Sequence, residues 1–204
     1  MVNYRAGDQT GLCAEADVLY MDGRLAWGRK TALDVQEDQT VTCFPMDEPE
    51  DITDVYFLRL RLTRADGTLL SNNFYALGRE EGNLRALRSM PKARVKLERV
   101  KAQACCRDAS DDTCRREGGC CGGTAGSCGG DEIVEIVRLT NVGKTPALML
   151  RLKALDSATG DLILPVWYSD NYVSLMPGES VELRVKVRRE DLRGRLRLEA
   201  EGCL

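Results

Sequence analysis

The residues best suited to chemistry in this chain lie in one short segment, VWYSDNYVSLMPGES, which starts at Val166. The segment combines three aromatic rings, an acid and an amide: Trp167, Tyr168, Tyr172, Asp170 and Asn171. In a sugar hydrolase, Asp170 would act as a general acid or base with a second carboxylate about 5–9 Å away. The only local carboxylate is Glu179, which stands beside a Pro-Gly turn. The spacing therefore does not predict a catalytic pair.

The same segment is typical of a corner between two strands. An apolar run, DLILPVW, leads into it, and an alternating run, SVELRVKV, leads out of it. In a corner, Asp170 and Asn171 hydrogen-bond to backbone groups, and we expect Trp167 and Tyr172 to fill the end of the core. We predict this structural role, with a contact to a sugar or to a neighbouring domain as the alternative.

A second candidate site is the cysteine-rich segment CCRDASDDTCRREGGCCGGTAGSCGG. Six of the nine cysteines lie in it: Cys105, Cys106, Cys114, Cys120, Cys121 and Cys128. Thiolates can bind a metal or form disulfides, but no pair here has the C-x-x-C spacing of zinc sites. The glycine content favours a flexible loop. We therefore predict a disordered insertion over residues 104–130 and no cofactor, with disulfides and a thiolate metal site as the alternatives.

Composition excludes several classes of protein. The chain has no histidine, which removes Ser-His-Asp and Cys-His nucleophiles and every zinc site that needs imidazole. Its 29 basic and 32 acidic residues nearly cancel, so we predict no nucleic-acid partner. No apolar run reaches the roughly 18 residues of a membrane span, so we predict no membrane partner. The N-terminal residues lack the layout of a signal peptide, and the compartment is left unassigned.

Alternation of apolar and polar residues predicts an all-β protein. In SVELRVKVRRE, one side of the predicted strand is apolar: Val181, Leu183, Val185 and Val187. In DVYFLRLRLTR, the same pattern predicts Leu58 and Leu60 in the core, with Arg59 and Arg61 facing water. A period of two with one dry face and one wet face is typical of antiparallel sheets packed in a sandwich.

Turn signals divide the chain into hairpins and domains. Asp22-Gly23 and Asp66-Gly67 each separate two alternating runs, which predicts a β-hairpin at each position. We predict two immunoglobulin-like antiparallel β-sandwich domains, residues 1–78 and 92–204, joined by a polar linker, residues 79–91. The first domain lacks room for a complete leading strand, which would leave an open sheet edge. We therefore expect this chain to be the C-terminal part of a longer protein.

Several motifs resemble a known family. The run ILPVWYSDNYVSLMPGESVELRV resembles the C-terminal immunoglobulin-like domain of family 2 glycoside hydrolases, of the exo-β-D-glucosaminidase and mannosylglycoprotein endo-β-mannosidase type. The runs RLTNVGKTPALMLRLKALD, MPKARVKLE and DVYFLRLRLTRADGTLLSNNFYALG resemble the strands before it, the linker and the end of the preceding sandwich. The sequence departs from the family in its cysteine-rich segment, and at Ala76 and Cys203, where tryptophan is frequent.

The resemblance implies a non-catalytic accessory region of a retaining glycosidase. In this family the catalytic glutamates lie on a (β/α)₈ barrel, and this chain lacks the strand–helix alternation of a barrel. No residue matches the catalytic motifs, and the implied partner is the catalytic barrel domain of the same enzyme. Two alternatives stay open. One is a cysteine-loop protein that binds metal or senses redox state, and the other is a free-standing carbohydrate-binding module that uses Trp27, Trp167, Tyr168 or Tyr172.

Overall fold

The computed structural model describes residues 1–47, 49–104 and 132–202. These residues divide into two units, Met1–Pro91 and Lys92–Leu204. The described part is nearly all β, with antiparallel pairing throughout, which confirms the predicted fold class. The predicted cysteine-rich insertion lies outside the described residues, apart from Ala104.

Unit 1 contains one four-stranded antiparallel sheet in the order β2-β1-β3-β4. Its strands are β1 Gln9–Tyr20, β2 Leu25–Val35, β3 Val55–Arg64 and β4 Leu69–Gly78. The two predicted hairpins are confirmed, because β1 pairs with β2 across Asp22-Gly23, and β3 pairs with β4 across Asp66-Gly67. Both turn glycines have positive φ, 90° at Gly23 and 83° at Gly67. Glycine adopts this conformation without the steric cost of a Cβ atom.

One face of the unit 1 sheet is apolar along its two central strands. The small core at one end of this face contains Val18, Leu58 and Ile52, which comes from the segment between β2 and β3. Trp27 packs against this core and lies 6.2 Å from the ring of Phe44. In the described part of unit 1, the long strands form this single sheet. A 3₁₀ helix, Arg85–Ser89, follows β4.

Unit 2 is a sandwich of two antiparallel sheets. One sheet has the order β5-β6-β10-β8 and the other has the order β11-β7-β9. The strands are β5 Val95–Ala104, β6 Glu132–Asn141, β7 Ala147–Asp156, β8 Val166–Tyr168, β9 Val173–Leu175, β10 Ser180–Arg188 and β11 Leu196–Glu201. A 3₁₀ helix, Arg189–Asp191, connects β10 to β11.

The core of unit 2 is formed where the inner faces of its two sheets meet. Leu183, Val185 and Val187 of β10 are buried there as the alternation predicts, opposite Leu150 and Leu152 of β7. Burial of each such aliphatic side chain stabilises the fold by about 1.5–3 kcal/mol. The alternation of apolar residues along β10 and β7 is therefore the main determinant of this sandwich.

Candidate functional site

The corner between β8 and β9 is held by the amide of Asn171. Its Oδ1 accepts hydrogen bonds from the backbone N–H of Leu152 at 2.8 Å and of Tyr172 at 2.9 Å. Its Nδ2 donates to the carbonyl oxygen of Leu152 at 3.1 Å. The backbone pairing of β7 with β9 ends at Leu150 and Val173. The Asn171 side chain therefore binds both backbone groups of Leu152, as a further strand residue would do.

Tyr168 also binds the backbone of β7, two residues beyond Leu152. Its hydroxyl oxygen accepts the backbone N–H of Ala154 at 3.0 Å, and its ring packs against the core of unit 2. The carbonyl oxygen of Ala154 accepts the N–H of Ile163 at 3.0 Å. Burial raises the pKa of the Tyr168 hydroxyl above its ordinary value, so the neutral phenol is the form that occupies this position.

The two carboxylates of the segment bind backbone groups close to them in sequence. Asp170 Oδ1 accepts the N–H of Asn171 at 2.7 Å. Glu179 Oε2 accepts the N–H of Met176 at 2.9 Å, across the Pro177-Gly178 turn. These contacts are typical of turn stabilisation. Neither contact pairs one carboxylate of the segment with the other.

Trp167 and Tyr172 do not fill the core, and this part of the sequence prediction is wrong. Trp167 is 53% exposed and Tyr172 is 47% exposed. The alternation of β8 explains Trp167, because Val166 and Tyr168 point into the core and the residue between them points outward. Tyr172 has a φ of 57°, in the left-handed region, and directly precedes β9.

Two buried polar residues of unit 2 fix its loops, and the sequence analysis missed them. Asn141 is 0% exposed, and its Nδ2 donates to the carbonyl oxygens of Thr145 at 2.8 Å and Leu175 at 3.0 Å. Asp156 is 4% exposed and accepts the N–H groups of Ala158 at 2.7 Å and Arg193 at 2.5 Å. These hydrogen bonds hold the pKa of Asp156 below its ordinary value. Asn-x-Gly and Asp-Ser turns are the sequence signals that could have identified them.

An ion pair in unit 2 joins a buried carboxyl on β6 to Arg99, which lies on edge strand β5 with its side chain 52% exposed. Arg99 Nε is 3.1 Å from Glu135 Oε2, and Arg99 Nη2 donates to the carbonyl oxygen of Leu196 at 2.7 Å on the other sheet. Glu135 is 6% exposed. Burial raises the pKa of its carboxyl, and the nearby Arg99 guanidinium partly offsets this effect. A raised carboxyl pKa is also a property of a general acid, but this carboxyl points into a packed core beside a cation.

A cluster of charges lies across β1 and β3 of unit 1. Arg59 Nη2 and Arg61 Nη2 lie 3.0 and 3.1 Å from Asp17 Oδ2, and Arg61 Nη2 also contacts Glu15 Oε1 at 2.5 Å. The side chains of Arg59 and Asp17 are only 15% and 10% exposed. The prediction that Arg59 faces water is therefore wrong, whereas the side chain of Arg61 is 32% exposed. Acidic residues directly opposite them on β1 allow both arginines to be partly buried.

The carboxylates in one surface depression of unit 1 are held by backbone N–H groups. This depression, about 410 Å³ in volume, includes Asp8 and Asp66 in its lining. Asp8 Oδ1 accepts the N–H of Glu37 at 3.0 Å, and Asp66 Oδ1 accepts the N–H of Thr68 at 2.9 Å. The bond from Thr68 lowers the pKa of Asp66, which is opposite to the shift that a general acid requires.

The described residues provide neither a cluster of metal ligands nor a membrane-spanning helix. Those residues hold no cluster of three or more histidine, cysteine, aspartate or glutamate side chains that could hold a metal ion. Cys13 and Cys43 are free thiols, whereas the six cysteines of the insertion lie outside the described part. None of the helices in the described ranges is long and apolar enough to span a bilayer.

The fold and its side chains define an immunoglobulin-like β-sandwich region whose described residues provide no catalytic centre. A family model for the exo-β-D-glucosaminidase Ig-fold domain matches residues 73–203, which is more than half of the chain. The chain therefore belongs to this family of domains from family 2 glycoside hydrolases, as its motifs predicted, and it includes no catalytic domain of those enzymes.

Individual relatives agree with this assignment. The chain is 30% identical over 216 residues to exo-β-D-glucosaminidase from Streptomyces avermitilis, an alignment that covers 95% of this chain and 21% of that enzyme. It is 41% identical over 70 residues to the enzyme from Amycolatopsis orientalis, which covers 34% of this chain and 7% of that enzyme. The chain thus spans about a fifth of the length of the first of these relatives.

Solved structures share the fold. The crystal structure of exo-chitosanase from Amycolatopsis orientalis superposes with a TM-score of 0.78 at 23% identity, covering 98% of this chain and 24% of that one. The β-D-mannosidase from Dictyoglomus thermophilum gives a TM-score of 0.50 at 12% identity, with coverage of 99% and 21%. At these identities the similarity shows the fold alone.

Proposed function

We propose that this chain acts as the accessory β-sandwich region of an exo-β-D-glucosaminidase-type glycoside hydrolase and packs against its catalytic barrel domain. The observation that carries the proposal is the alignment of 95% of this chain with about a fifth of a much longer enzyme. The chemistry of the described residues is consistent with it, because the acidic residues Asp170, Glu179 and Asp156 bind backbone N–H groups and Asp17 binds two arginines.

The test replaces the matching region of the Streptomyces avermitilis enzyme with this chain and compares the chimera with a deletion of that region. We expect the chimera to keep the thermal midpoint and the hydrolysis rate for a β-D-glucosaminide, and the deletion to lose both. A chimera that carries Leu150→Asp should behave like the deletion, because Leu150 is 2% exposed in the core of unit 2. Hydrolysis by the isolated chain, or a deletion without effect, would contradict the proposal.

A second candidate function, carbohydrate binding, is supported by one observation. Trp167 is 53% exposed on a short edge strand, and exposed aromatic side chains can stack on sugars. Two other candidate rings are less available. Trp27 packs against the core of unit 1, and Tyr168 packs against the core of unit 2. Glucosamine oligosaccharides should then bind the chain saturably, and Trp167→Ala should abolish binding while the far-ultraviolet circular dichroism stays unchanged. Equal binding by the variant would exclude this role.

A further inference from the structure

Two exposed residues of unit 2 have a backbone conformation that large side chains rarely adopt. Met149 has a φ of 50° and is 49% exposed, and Tyr172 has a φ of 57° and is 47% exposed. Among the described residues, the other non-glycine residue with positive φ is Asp38, a residue type that adopts this conformation more readily. Such conformations cost free energy and are concentrated at functional sites, so Met149 and Tyr172 are candidates for a role beyond folding.

The pairing of β7 with β9 brings Met149 and Tyr172 to the same part of one sheet. Leu150 pairs with Val173, and each of the two exposed residues directly precedes one member of this pair. The N–H of Met149 donates to the Oγ of Ser174 at 3.1 Å, on the strand that Tyr172 precedes. Leu150 and Val173 pack in the core, so the residues next to them face solvent, in agreement with their exposure.

Arg151 adds a cation to this surface. It lies on β7, opposite Glu201 of β11 in the register. The carboxylate of Glu201 is, however, engaged by Lys153, whose Nζ lies 3.0 Å from Oε2. No ion pair joins Arg151 to a carboxylate in the described part of the chain. We name this group of side chains the β7–β9 surface: Met149, Arg151 and Tyr172.

The residue types of the β7–β9 surface are typical of protein interfaces. Tyrosine, methionine and arginine are enriched there, and aromatic and arginine side chains carry much of the binding energy. Methionine also adapts to partner surfaces of irregular shape. An arginine without a carboxylate attracts an acidic group on a partner. The β7–β9 surface therefore fits an acidic polypeptide surface better than a glucosamine chain, whose ammonium groups the arginine would repel.

We propose that unit 2 contacts the catalytic domain through the β7–β9 surface, with an apolar recess that receives Met149 and Tyr172 and a carboxylate that pairs with Arg151. This inference rests on the proposed function, which supplies the partner, and it adds the face of unit 2 that makes the contact. The alignment covers 21% of the Streptomyces avermitilis relative, so most of that enzyme lies outside the matched region. Burial of the two side chains against a partner would offset the free energy that their backbone conformation costs.

The test follows oxidation of Met149 by hydrogen peroxide, because conversion to the sulfoxide requires access to the side chain. Peptide mass spectrometry gives the rate in the isolated chain and in the chimera with the Streptomyces avermitilis enzyme. Met46 is 46% exposed in unit 1 and is the reference in the isolated chain, whereas Met176 is 6% exposed and reports unfolding in both proteins. We expect Met149 and Met46 to oxidise at similar rates in the isolated chain, and Met149 to oxidise several-fold more slowly in the chimera.

A charge reversal tests the cation of the β7–β9 surface. Arg151→Glu should restore oxidation of Met149 in the chimera towards the rate of the isolated chain, because the partner's carboxylate would repel the new charge. Arg184→Glu is the matched control. Arg184 is exposed between two core residues of β10 on the other sheet, and it too has no ion pair with any described carboxylate. This control should leave the oxidation of Met149 slow.

Three outcomes would overturn the inference. Equally fast oxidation of Met149 in the chimera and the isolated chain, with Met176 protected in both, would mean that the catalytic domain does not cover this surface. Equal effects of Arg151→Glu and Arg184→Glu would remove the pairing assigned to Arg151. Protection of Met149 in the isolated chain that increases with protein concentration would show that a second copy is the occupant.

The activity of the chimera separates this inference from the proposed function. An active chimera in which Met149 oxidises freely would keep the proposed function and reject only the β7–β9 surface. Rapid oxidation of Met176 in an inactive chimera would contradict the proposed function itself, because the region would not fold in that enzyme, and the inference would fail with it.

Discussion

The side-chain amide of Asn171 binds both the N–H and the carbonyl oxygen of Leu152, two residues beyond the last backbone pair between β7 and β9. The Asn171 side chain here makes the hydrogen bonds to Leu152 that a neighbouring strand would otherwise make. The edge of β7 is thereby closed with polar contacts at successive inward-facing residues, Leu152 and Ala154. An exposed edge would present free N–H and carbonyl groups to other strands, so this corner protects the sandwich against unwanted pairing.

The first prediction concerns Asn171→Ala. The change leaves the N–H and carbonyl of Leu152 without their partner, and we expect the free energy of unfolding to fall by about 2–3 kcal/mol. Urea denaturation followed by tryptophan fluorescence measures the loss. Asp170→Ala is the matched control, because it removes one bond to the adjacent N–H in an exposed position and should have little effect. Equal losses in the two variants would contradict the assigned role of Asn171.

The second prediction concerns the hydroxyl of Tyr168. Tyr168→Phe keeps the ring in the core but removes the acceptor for the N–H of Ala154, and we expect a loss of about 1–2 kcal/mol. Tyr172→Phe is the control, because Tyr172 is 47% exposed. Chemical denaturation of both variants checks the result. If Tyr172→Phe lowers the free energy of unfolding as much as Tyr168→Phe does, the conclusion that Tyr168 closes the β7 edge is wrong.

The sequence predicts the sheets well because burial on one face imposes a period of two on each strand. Leu183, Val185 and Val187 show this directly, as do the hairpins at Asp22-Gly23 and Asp66-Gly67, where the turn needs positive φ. The residues within each strand or turn are therefore sufficient to predict it. Both the strands and the all-β class follow from it.

The sequence predicts side-chain environments less well wherever a distant residue decides them. Arg59 looks solvent-exposed in its own strand, yet Asp17, 42 positions earlier, allows it to be partly buried. Trp167 looks like a core residue by its type, but its position between Val166 and Tyr168 turns it outward. The bonds of Asn141 to Leu175, 34 positions away, follow from tertiary packing and have no signal in the local pattern beyond the turn.

The third prediction concerns the charge cluster of unit 1. Asp17→Ala removes the carboxylate that two partly buried arginines share, and we expect a loss of about 3 kcal/mol because the cations lose their counter-charge. Asp22→Ala is the matched control, since its pair with Arg24 is exposed and should contribute little. Thermal denaturation at low and high salt measures both. A small effect of Asp17→Ala, or one that high salt removes, would show that the cluster is only a surface feature.

The last prediction concerns pH and Glu135. Burial raises the folded-state pKa of this carboxyl above the ordinary value of 4.5, so the folded protein binds its proton more tightly than the unfolded chain does. The contribution of such a group to stability is present below the unfolded pKa and is lost as pH rises through the folded pKa. The pH range over which this contribution to stability is lost therefore begins near pH 4.5 and extends upward.

Glu135→Gln removes this titration while keeping a side chain of similar size beside Arg99. We expect the free energy of unfolding of the wild-type protein, relative to that of Glu135→Gln, to decline as pH rises from about 4 to about 7. Urea denaturation at a series of pH values gives this difference. A control variant, Glu182→Gln, alters an exposed pair with Arg138 and should show no such decline. If the wild-type protein instead gained stability over Glu135→Gln with rising pH, attraction to Arg99 would outweigh the effect of burial.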